Sequence, residues 1–319
     1  MDSRLKKKFP ALWERFGTVG ILVLLLLVIG IFGPPQFLSK NNLMQIAIQS
    51  SVTGLIACGE FFAILIAGID LSVGSVMGLV GMVTARLMVL GNVPWATAVL
   101  IGILCGALCG AFNGLMINLT GLHPFVITLG TQSIFRGLVL ILSGAKSTYG
   151  FSKQFKDCMG GFINGTVPSA VLIMAVVAVL LWLFSSYTIC GRNIYAMGGN
   201  KEAAWFSGIN TKLHTLIVHM ICGACFGLAG IVYTARIGSA EPLAGEGYET
   251  FAIASAIIGG TSFFGGRGKI PTVVIGSLII GTINNGLNML NVGSYYQQIV
   301  TGSLIILAVT LDSLVKGKK

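Results

Sequence analysis

Apolar residues form ten long runs along the chain, and polar or glycine-rich breaks separate them. A helix that spans the hydrocarbon core of a bilayer, about 30 Å thick, needs about 20 predominantly apolar residues. The pattern therefore predicts an all-α, polytopic membrane protein of about ten transmembrane helices, with one domain over residues 1–319. The predicted spans are residues 17–33, 43–67, 74–90, 94–118, 123–143, 168–186, 212–235, 248–264, 271–290 and 295–314.

Composition and charge agree with a membrane protein. The chain is 55% hydrophobic and 9% charged, with a mean hydropathy of +0.89, which is more apolar surface than a soluble domain of this size can bury. The net charge of +10 alone would suit nucleic acid, but Lys and Arg concentrate before the first run and after the last. This positive-inside pattern predicts two cytoplasmic termini, membrane lipid as the solvent and no nucleic-acid partner. A headgroup-binding or RNA-binding role for residues 6–8 stays open.

Small residues follow the predicted spans in regular patterns. Four glycines recur at every fourth position of the fourth span, at Gly102, Gly106, Gly110 and Gly114. Helices in lipid pack by close backbone approach, so this stripe predicts a tight helix contact. Cys222 and Cys225 have redox or metal spacing, or else they are small residues at a helix contact. The 44 glycines also favour helices that are broken where they line a cavity.

Two polar turns interrupt the apolar runs at separate places. Asp70 and Ser72 break one run, and the glycine-rich segment 259–269 breaks another. Both turns connect closely spaced spans. This arrangement indicates two structurally related halves, which is a common plan among transporters.

Catalytic signatures are missing from the sequence. It has no phosphate-binding loop of the Walker type, no metalloprotease spacing of histidines and no nucleophile elbow. We therefore expect that the chain is not an enzyme and that it holds no metal and no cofactor of its own.

Three ionisable residues fall within or beside predicted spans, namely Glu60, Asp70 and Arg136. Charge inside a membrane is costly, so each is a candidate for function. Phe61 and Gln132 lie beside them, and aromatic, amide and charged groups together suit a polyol. These five residues form the hypothetical substrate path. Alternatives also remain open: a structural Glu60–Arg136 ion pair, an Arg136 that reaches towards the membrane surface, and an Asp70 that caps a helix.

Two segments predicted on the outer side carry aromatic and acidic side chains. Residues 143–169 include Tyr149 and Phe151, and residues 238–252 include Glu241 and Glu246. Together they are a hypothetical docking surface for an extracellular protein. Ordinary solvated loops are the alternative.

Residues 190–211 form a polar, glycine-rich segment between the sixth and seventh spans, which the topology places in the cytoplasm. It reads "CGRNIYAMGGNKEAAWFSGIN" over residues 190–210. The pattern predicts a short helix with small residues on one face, closed by a glycine turn, which suits a groove on another protein. A membrane path that lacks an ATP site but has such a helix suggests that another chain supplies the energy. The candidate coupling residues are Asn200, Glu202, Ala203, Ala204, Ser207 and Gly208.

Four motifs carry a resemblance to a known family: "AGIDLSVGS", "GLHPFVITLGT", "GRNIYAMGGNKEAAWFSGI" and "IASAIIGGTSFFGG". On these residues the chain resembles the permease subunits of monosaccharide-importing ABC transporters, the ribose, xylose, galactose and allose group. The segment after Gly208 lacks the I-x-L-P element of other importers.

The resemblance implies a homodimer in the bacterial cytoplasmic (inner) membrane, with the sugar path at or near the subunit interface. It implies D-allose or a related aldose such as ribose as the substrate. It also implies two protein partners, an extracytoplasmic sugar-binding protein and a cytoplasmic ATP-binding subunit that holds ATP and Mg²⁺. The alternative function is a stand-alone, ion-coupled secondary transporter that uses Glu60, Asp70 and Arg136 as an ion relay.

Overall fold

A computed structural model describes the backbone of residues 3–163 and 165–316, with the side chains of residues 17–310 except 164 and 294. The chain is 76% helical. The basic residues at the two ends, on which the predicted orientation depends, lie outside the described side chains. The helices are α1 (Ser3–Phe32), α2 (Lys40–Leu65), α3 (Val73–Val89), α4 (Trp95–Thr120), α5 (Pro124–Ser143), α6 (Lys153–Met159), α7 (Ser169–Tyr187), α8 (Ile189–Gly199), α9 (Lys201–Phe206), α10 (Thr211–Ile237), α11 (Tyr248–Ile258), α12 (Ile270–Met289) and α13 (Ser294–Lys316). The strands are β1 (Thr148–Tyr149), β2 (Phe162–Ile163), β3 (Val167–Pro168) and β4 (Ser239–Ala240).

The predicted all-α membrane class is confirmed, since each of the ten apolar runs coincides with a helix. Among the described residues, six helices are long and apolar enough to cross a membrane, namely α2, α4, α5, α7, α10 and α12. Residues 17–32, α3 and α11 form shorter apolar helices. The predicted span 248–264 is wrong in its extent, because α11 ends at Ile258. At 1.5 Å per residue, its 11 residues cover about 16 Å, roughly half of the hydrocarbon core.

The centre of the bundle is α10, which packs against α4, α2 and α3. The glycine stripe of α4 lies on this contact. A Cβ on Gly106 would meet the carbonyl of Gly223, and one on Gly110 would meet the carbonyl of His219. Cys222 and Cys225 are buried where α10 packs against Gly59 of α2, and the Cys222 thiol donates to the Gly59 carbonyl. They are therefore small residues at a helix crossing, as one of the two interpretations of their spacing held.

Two helices of the bundle are interrupted by non-helical backbone. The first break, residues 66–72, connects α2 to α3, and the second break, residues 238–247, connects α10 to α11. The second break packs against the start of α3, just after the first break, where the Gly74 carbonyl lies against Gly245. Glycine is required there because each residue occupies the space of the other's missing Cβ. The predicted turn at 259–269 also exists, between α11 and α12.

Three short helices and two strand pairs lie outside the predicted spans. β1 pairs with β4 in antiparallel register, which aligns Thr148 with Ala240 and Tyr149 with Ser239. β2 pairs with β3. Helices α8 and α9 occupy the predicted coupling segment, and Asn200 separates them. The β1–β4 pair joins the two predicted outer segments to each other.

Candidate substrate path and coupling surface

The first break is held by side chains that bond its backbone. Oε1 of the fully buried Glu60 accepts a hydrogen bond from the Asp70 amide at 3.1 Å. Thr128 Oγ1, on α5, accepts from the Leu71 amide at 3.0 Å and donates to the Ile69 carbonyl at 3.2 Å. Backbone that leaves a helix within a membrane needs such partners because no water is present to supply them. Glu60 and Thr128 therefore stabilise the break.

Asp70 extends this network to a third helix. Its Oδ1 accepts from the Ser72 amide at 2.9 Å and from the Ser72 hydroxyl. Asn113 on α4 donates to Ser72 Oγ at 2.9 Å and to Asp70 Oδ2 at 3.4 Å. Ser72 is the residue just before α3, so Asp70 stabilises the turn that enters the helix, and its role as a helix cap stays a prediction. Three polar atoms in this region of the core, Glu60 Oε2, Asn113 Oδ1 and His219 Nε2, have no partner among the described residues.

Arg136 bonds the second break. Its Nη1 donates to the carbonyl oxygens of Pro242 at 2.7 Å and Ala244 at 3.0 Å. The proposed Glu60–Arg136 ion pair is therefore wrong within the described structure. The two residues bond different breaks, Glu60 as an acceptor for amide hydrogens and Arg136 as a donor to carbonyl oxygens. Each compensates for helical hydrogen bonds that its break lacks.

The remaining predicted path residues differ in their surroundings. Phe61 is fully buried and stacks edge-on against Phe62, with ring centroids 5.1 Å apart. Gln132 is half-buried on α5, and its neighbour Ser133 is exposed. Gly130 and Gly137 lie on the same helix, and a Cβ on either would meet nothing within 4 Å. Of the predicted path residues, Glu60, Phe61 and Asp70 are thus buried, Gln132 is half-buried on α5, and Arg136 bonds the second break.

Three of the four residues predicted for the docking surface are exposed in the structure, and the fourth is buried. Tyr149 is 72% exposed, and the β1–β4 pair places it opposite Ser239, close to the exposed Glu241. Glu246 is exposed in the second break. Phe151, in contrast, is only 6% exposed and stacks edge-on against Phe155. Its assignment to a docking surface is wrong, because the side chain belongs to the core.

The predicted coupling segment folds as a capped helix. Asn200 Oδ1 accepts from the Ala203 amide at 2.9 Å at the start of α9, and Ser207 Oγ donates to the Ala203 carbonyl at 2.8 Å at its end. Gly208 follows with a φ of 86°, which favours glycine. Glu202 and Ala203 are exposed. Ala204 is only 4% exposed, so it packs against the chain's own bundle instead of presenting itself to a partner.

Sequence reasoning missed the two most exposed apolar side chains of this segment. Trp205 is 61% exposed and Phe206 is 79% exposed. Their rings pack edge-on, with centroids 4.9 Å apart. The sequence did carry a signal for this surface, since it places two adjacent aromatic residues in a segment predicted to lie in water. Exposed aromatic side chains are typical of binding surfaces. We call residues 200–208 the coupling surface.

Helix α8 connects this surface to the bundle. Gly198 lies against the carbonyl of Leu65, and a Cβ there would overlap it. The Gly266 amide donates to the same carbonyl at 2.9 Å. Tyr195 donates its hydroxyl hydrogen to the Gly268 carbonyl at 2.8 Å. The end of α2, just before the first break, is therefore packed directly against α8 and the α11–α12 turn.

A bundle of apolar helices with two interior breaks is an arrangement expected of a transport protein, and comparison with known proteins identifies the family. The model of the family described as branched-chain amino acid transport system / permease component matches residues 42–309. The chain belongs to this permease family. No solved structure gives a significant match.

Named relatives cover nearly the whole chain. The D-allose transport system permease protein AlsC of Escherichia coli K12 is 56% identical over 96% of this chain and 94% of its own length. The ribose import permease protein RbsC of Bacillus subtilis 168 is 41% identical over 95% and 94% of the two chains. The galactose/methyl galactoside import permease protein MglC of Salmonella typhimurium LT2 is 37% identical over 99% of each.

At the candidate path of this permease, buried and half-buried side chains pack together and form hydrogen bonds with the backbone of the two breaks. Within the described residues, no group of three or more His, Cys, Asp and Glu side chains is arranged to hold a metal ion. Glu60, Asp70 and Arg136, all found by sequence reasoning, hold the two breaks through hydrogen bonds.

Proposed function

We propose that this permease is the membrane subunit of an ATP-driven importer that carries D-allose or a closely related aldose, such as ribose, across the bacterial cytoplasmic membrane. The observation that carries the proposal is its similarity, over more than nine-tenths of its length, to permeases named for D-allose, ribose and galactose transport. The identity is higher for the D-allose permease than for the other two. The class of sugar follows from all three relatives, and D-allose follows from the first.

The proposed partners follow from the two ends of the bundle. A cytoplasmic subunit that binds ATP and Mg²⁺ docks on the coupling surface, where Trp205 and Phe206 provide exposed aromatic contacts. An extracytoplasmic sugar-binding protein docks at the opposite end, over Tyr149, Glu241 and Glu246. In this arrangement both termini lie in the cytoplasm.

A second copy of the chain completes the proposed path. The open face of α5 carries exposed Ser133 and half-buried Gln132 beside two glycines with empty space above them. Hydroxyl and amide groups suit a sugar, and small residues permit close approach of another helix. We place the sugar path between the α5 faces of two copies, with the first break behind them.

The proposed mechanism uses α8 as a rigid lever. ATP binding moves the coupling surface, and α8 carries the motion to the end of α2 through Gly198 and to the α11–α12 turn through Tyr195. The first contact adjoins the first break and the second reaches the α11–α12 turn, and non-helical backbone at both places can change its angles more readily than a helix can. Access then alternates between the two sides of the membrane.

A stand-alone, ion-coupled transporter fits the structure less well. An ion relay needs carboxylates that can bind and release a cation along a path. Instead, Asp70 accepts hydrogen bonds from Ser72 and Asn113, Glu60 bonds the Asp70 amide, and Arg136 bonds two carbonyls. These residues are engaged in structural bonds.

The proposal is tested by the ATPase activity of the assembled complex. The permease is purified with its ATP-binding subunit, reconstituted and supplied with the sugar-binding protein and a panel of aldoses. We expect D-allose to stimulate ATP hydrolysis above the sugar-free control more than galactose does. Equal hydrolysis with every aldose and without sugar would contradict the proposed function.

A further inference from the structure

A polar cavity lies apart from the residues of the proposed substrate path and the coupling surface. Its volume is about 460 Å³, and it opens at the end of α7 that adjoins α8. Three segments contribute to its wall: the last turns of α7, the first turns of α8 and the residues just before α12. The lining residues are Trp182, Ser185, Ser186, Arg192, Tyr195, Gly268 and Lys269.

Hydrogen bonds hold the segments of the wall together. Tyr195 spans the cavity by donating its hydroxyl hydrogen to the Gly268 carbonyl. Thr188 Oγ1 donates to the Phe184 carbonyl at 2.6 Å and accepts from the Gly191 amide at 3.0 Å. This pair of bonds fixes the angle between α7 and α8. The cavity is therefore formed by connected backbone segments, not by surface side chains alone.

The cavity carries positive charge. Arg192 and Lys269 are both exposed and enter it from opposite segments, while its lining contains no Asp or Glu. Within the described structure the side chain of Arg192 makes one hydrogen bond, a long one from Nη1 to the Tyr187 carbonyl at 3.4 Å. A guanidinium has five donors in a planar fork that matches phosphate. Two cations and the exposed hydroxyl of Ser186 thus suit a phosphate group.

An apolar surface continues directly from the cavity. α7 is the most apolar of the six long helices, and most of it is not covered by the rest of the chain. Val179, Leu180 and Leu183 are exposed along the turns that approach the cavity, and Trp182 lies at its edge. Tryptophan is enriched where a membrane meets water. A ligand with a phosphate in the cavity would therefore have its apolar part along α7.

We propose that this cavity binds the phosphate headgroup of an anionic phospholipid of the cytoplasmic leaflet, whose acyl chains lie along α7. Basic pockets between helices at the cytoplasmic face suit anionic headgroups. A free phosphate compound shares the headgroup chemistry, but the uncovered apolar face of α7 is matched by acyl chains only. Because α8 also carries the coupling surface, a lipid bound here contacts the lever of the proposed mechanism.

Native mass spectrometry of the purified full chain tests the proposal. The protein, in detergent and about 0.15 M ammonium acetate, is titrated separately with dioleoylphosphatidylglycerol, dioleoylphosphatidylcholine and glycerol 3-phosphate. The variants are Arg192→Gln, Lys269→Gln and the two combined. The matched control is Lys201→Gln with Lys212→Gln, which removes the same charge from exposed lysines of the same region.

We expect the unmodified chain to retain phosphatidylglycerol in preference to the other two compounds. Removing one cation of the cavity should weaken that binding about fivefold, and removing both should weaken it roughly thirtyfold. The control pair should change it by no more than about twofold, because distant exposed charges are screened.

Four results would overturn the proposal. Equal retention of the zwitterionic lipid would remove the headgroup preference, and this comparison needs no variant. Binding of glycerol 3-phosphate as tight as that of the lipid would make the ligand a free phosphate compound. Unchanged lipid binding in the Arg192→Gln, Lys269→Gln double variant would place the lipid elsewhere. Loss of dimer in that variant, with lipid retention unchanged, would show that a second copy covers the cavity.

Discussion

Gly110 lies where α4 crosses α10, at a point with no room for a methyl group. A Cβ there would overlap the His219 carbonyl oxygen and would lie 2.7 Å from the carbonyl carbon. Ordinary contacts begin at 3.4 Å, so the two backbones must separate by at least 0.7 Å. Backbone atoms cannot rotate away as a side chain would. We therefore expect Gly110→Ala to destabilise the bundle by about 1–3 kcal/mol, the usual cost of overpacking.

The same helix bundle offers a matched control. Gly20 is in the interior of α1, and a Cβ there meets nothing within 4 Å. Gly20→Ala makes the same chemical change and should be neutral or slightly stabilising, because alanine is the better helix former. Thermal unfolding of the purified chain in detergent, read by the loss of the monodisperse peak, compares the two. Equal stability of the two variants would refute the close contact between α4 and α10.

Three further predictions concern the break, the coupling surface and the topology. Glu60→Ala should lower stability by about 1–3 kcal/mol because a buried amide of the first break loses its acceptor. Glu60→Gln keeps an acceptor, so its unfolding temperature should be close to that of the unmodified chain. Equal unfolding temperatures of the two variants would contradict this role of Glu60. Trp205→Ala should leave the folded yield unchanged and weaken pull-down of the ATP-binding subunit roughly thirtyfold, as for an interface hot spot. The control Tyr149→Ala should not weaken this pull-down. A similar loss in both variants would count against the coupling surface. In sealed spheroplasts a membrane-impermeant maleimide should label exposed Cys158 and not Cys190. After the membrane is opened, Cys190 should react slowly at pH 7 and faster at higher pH, because burial raises its pKa and lowers its thiolate fraction. Labelling of Cys190 in the sealed cells would overturn the orientation.

The sequence predicted the bundle well because long apolar runs have one stable structure in lipid. Most helix ends lie within three residues of the predicted ones, as for α5 and α12. Two ends differ by more: α1 begins at Ser3, before its predicted span, and α11 stops at Ile258, where the predicted polar turn of residues 259–269 begins. Gly259 is packed against α12 and Gly260 has a φ of 88°, so tertiary contact ends the helix.

The candidate site was predicted as a set of residues but not as a set of contacts. Arg136 was recognised as costly in a membrane, yet its partners are carbonyl oxygens, which no sequence pattern marks. Two aromatic residues were predicted with the wrong exposure. Phe151 was assigned to a surface but is buried, and Trp205 was overlooked but is exposed. Both errors arise because local sequence does not show which face of a short segment the rest of the chain covers.

Uptake of radiolabelled D-allose into proteoliposomes tests the central claim most directly. The permease and its ATP-binding subunit are reconstituted together, with ATP and Mg²⁺ on the side of the coupling surface and the sugar-binding protein on the other side. The account predicts accumulation that requires all the components, with none from a proton or sodium gradient imposed on the permease alone. Accumulation by the permease alone on an ion gradient, without ATP, would contradict it.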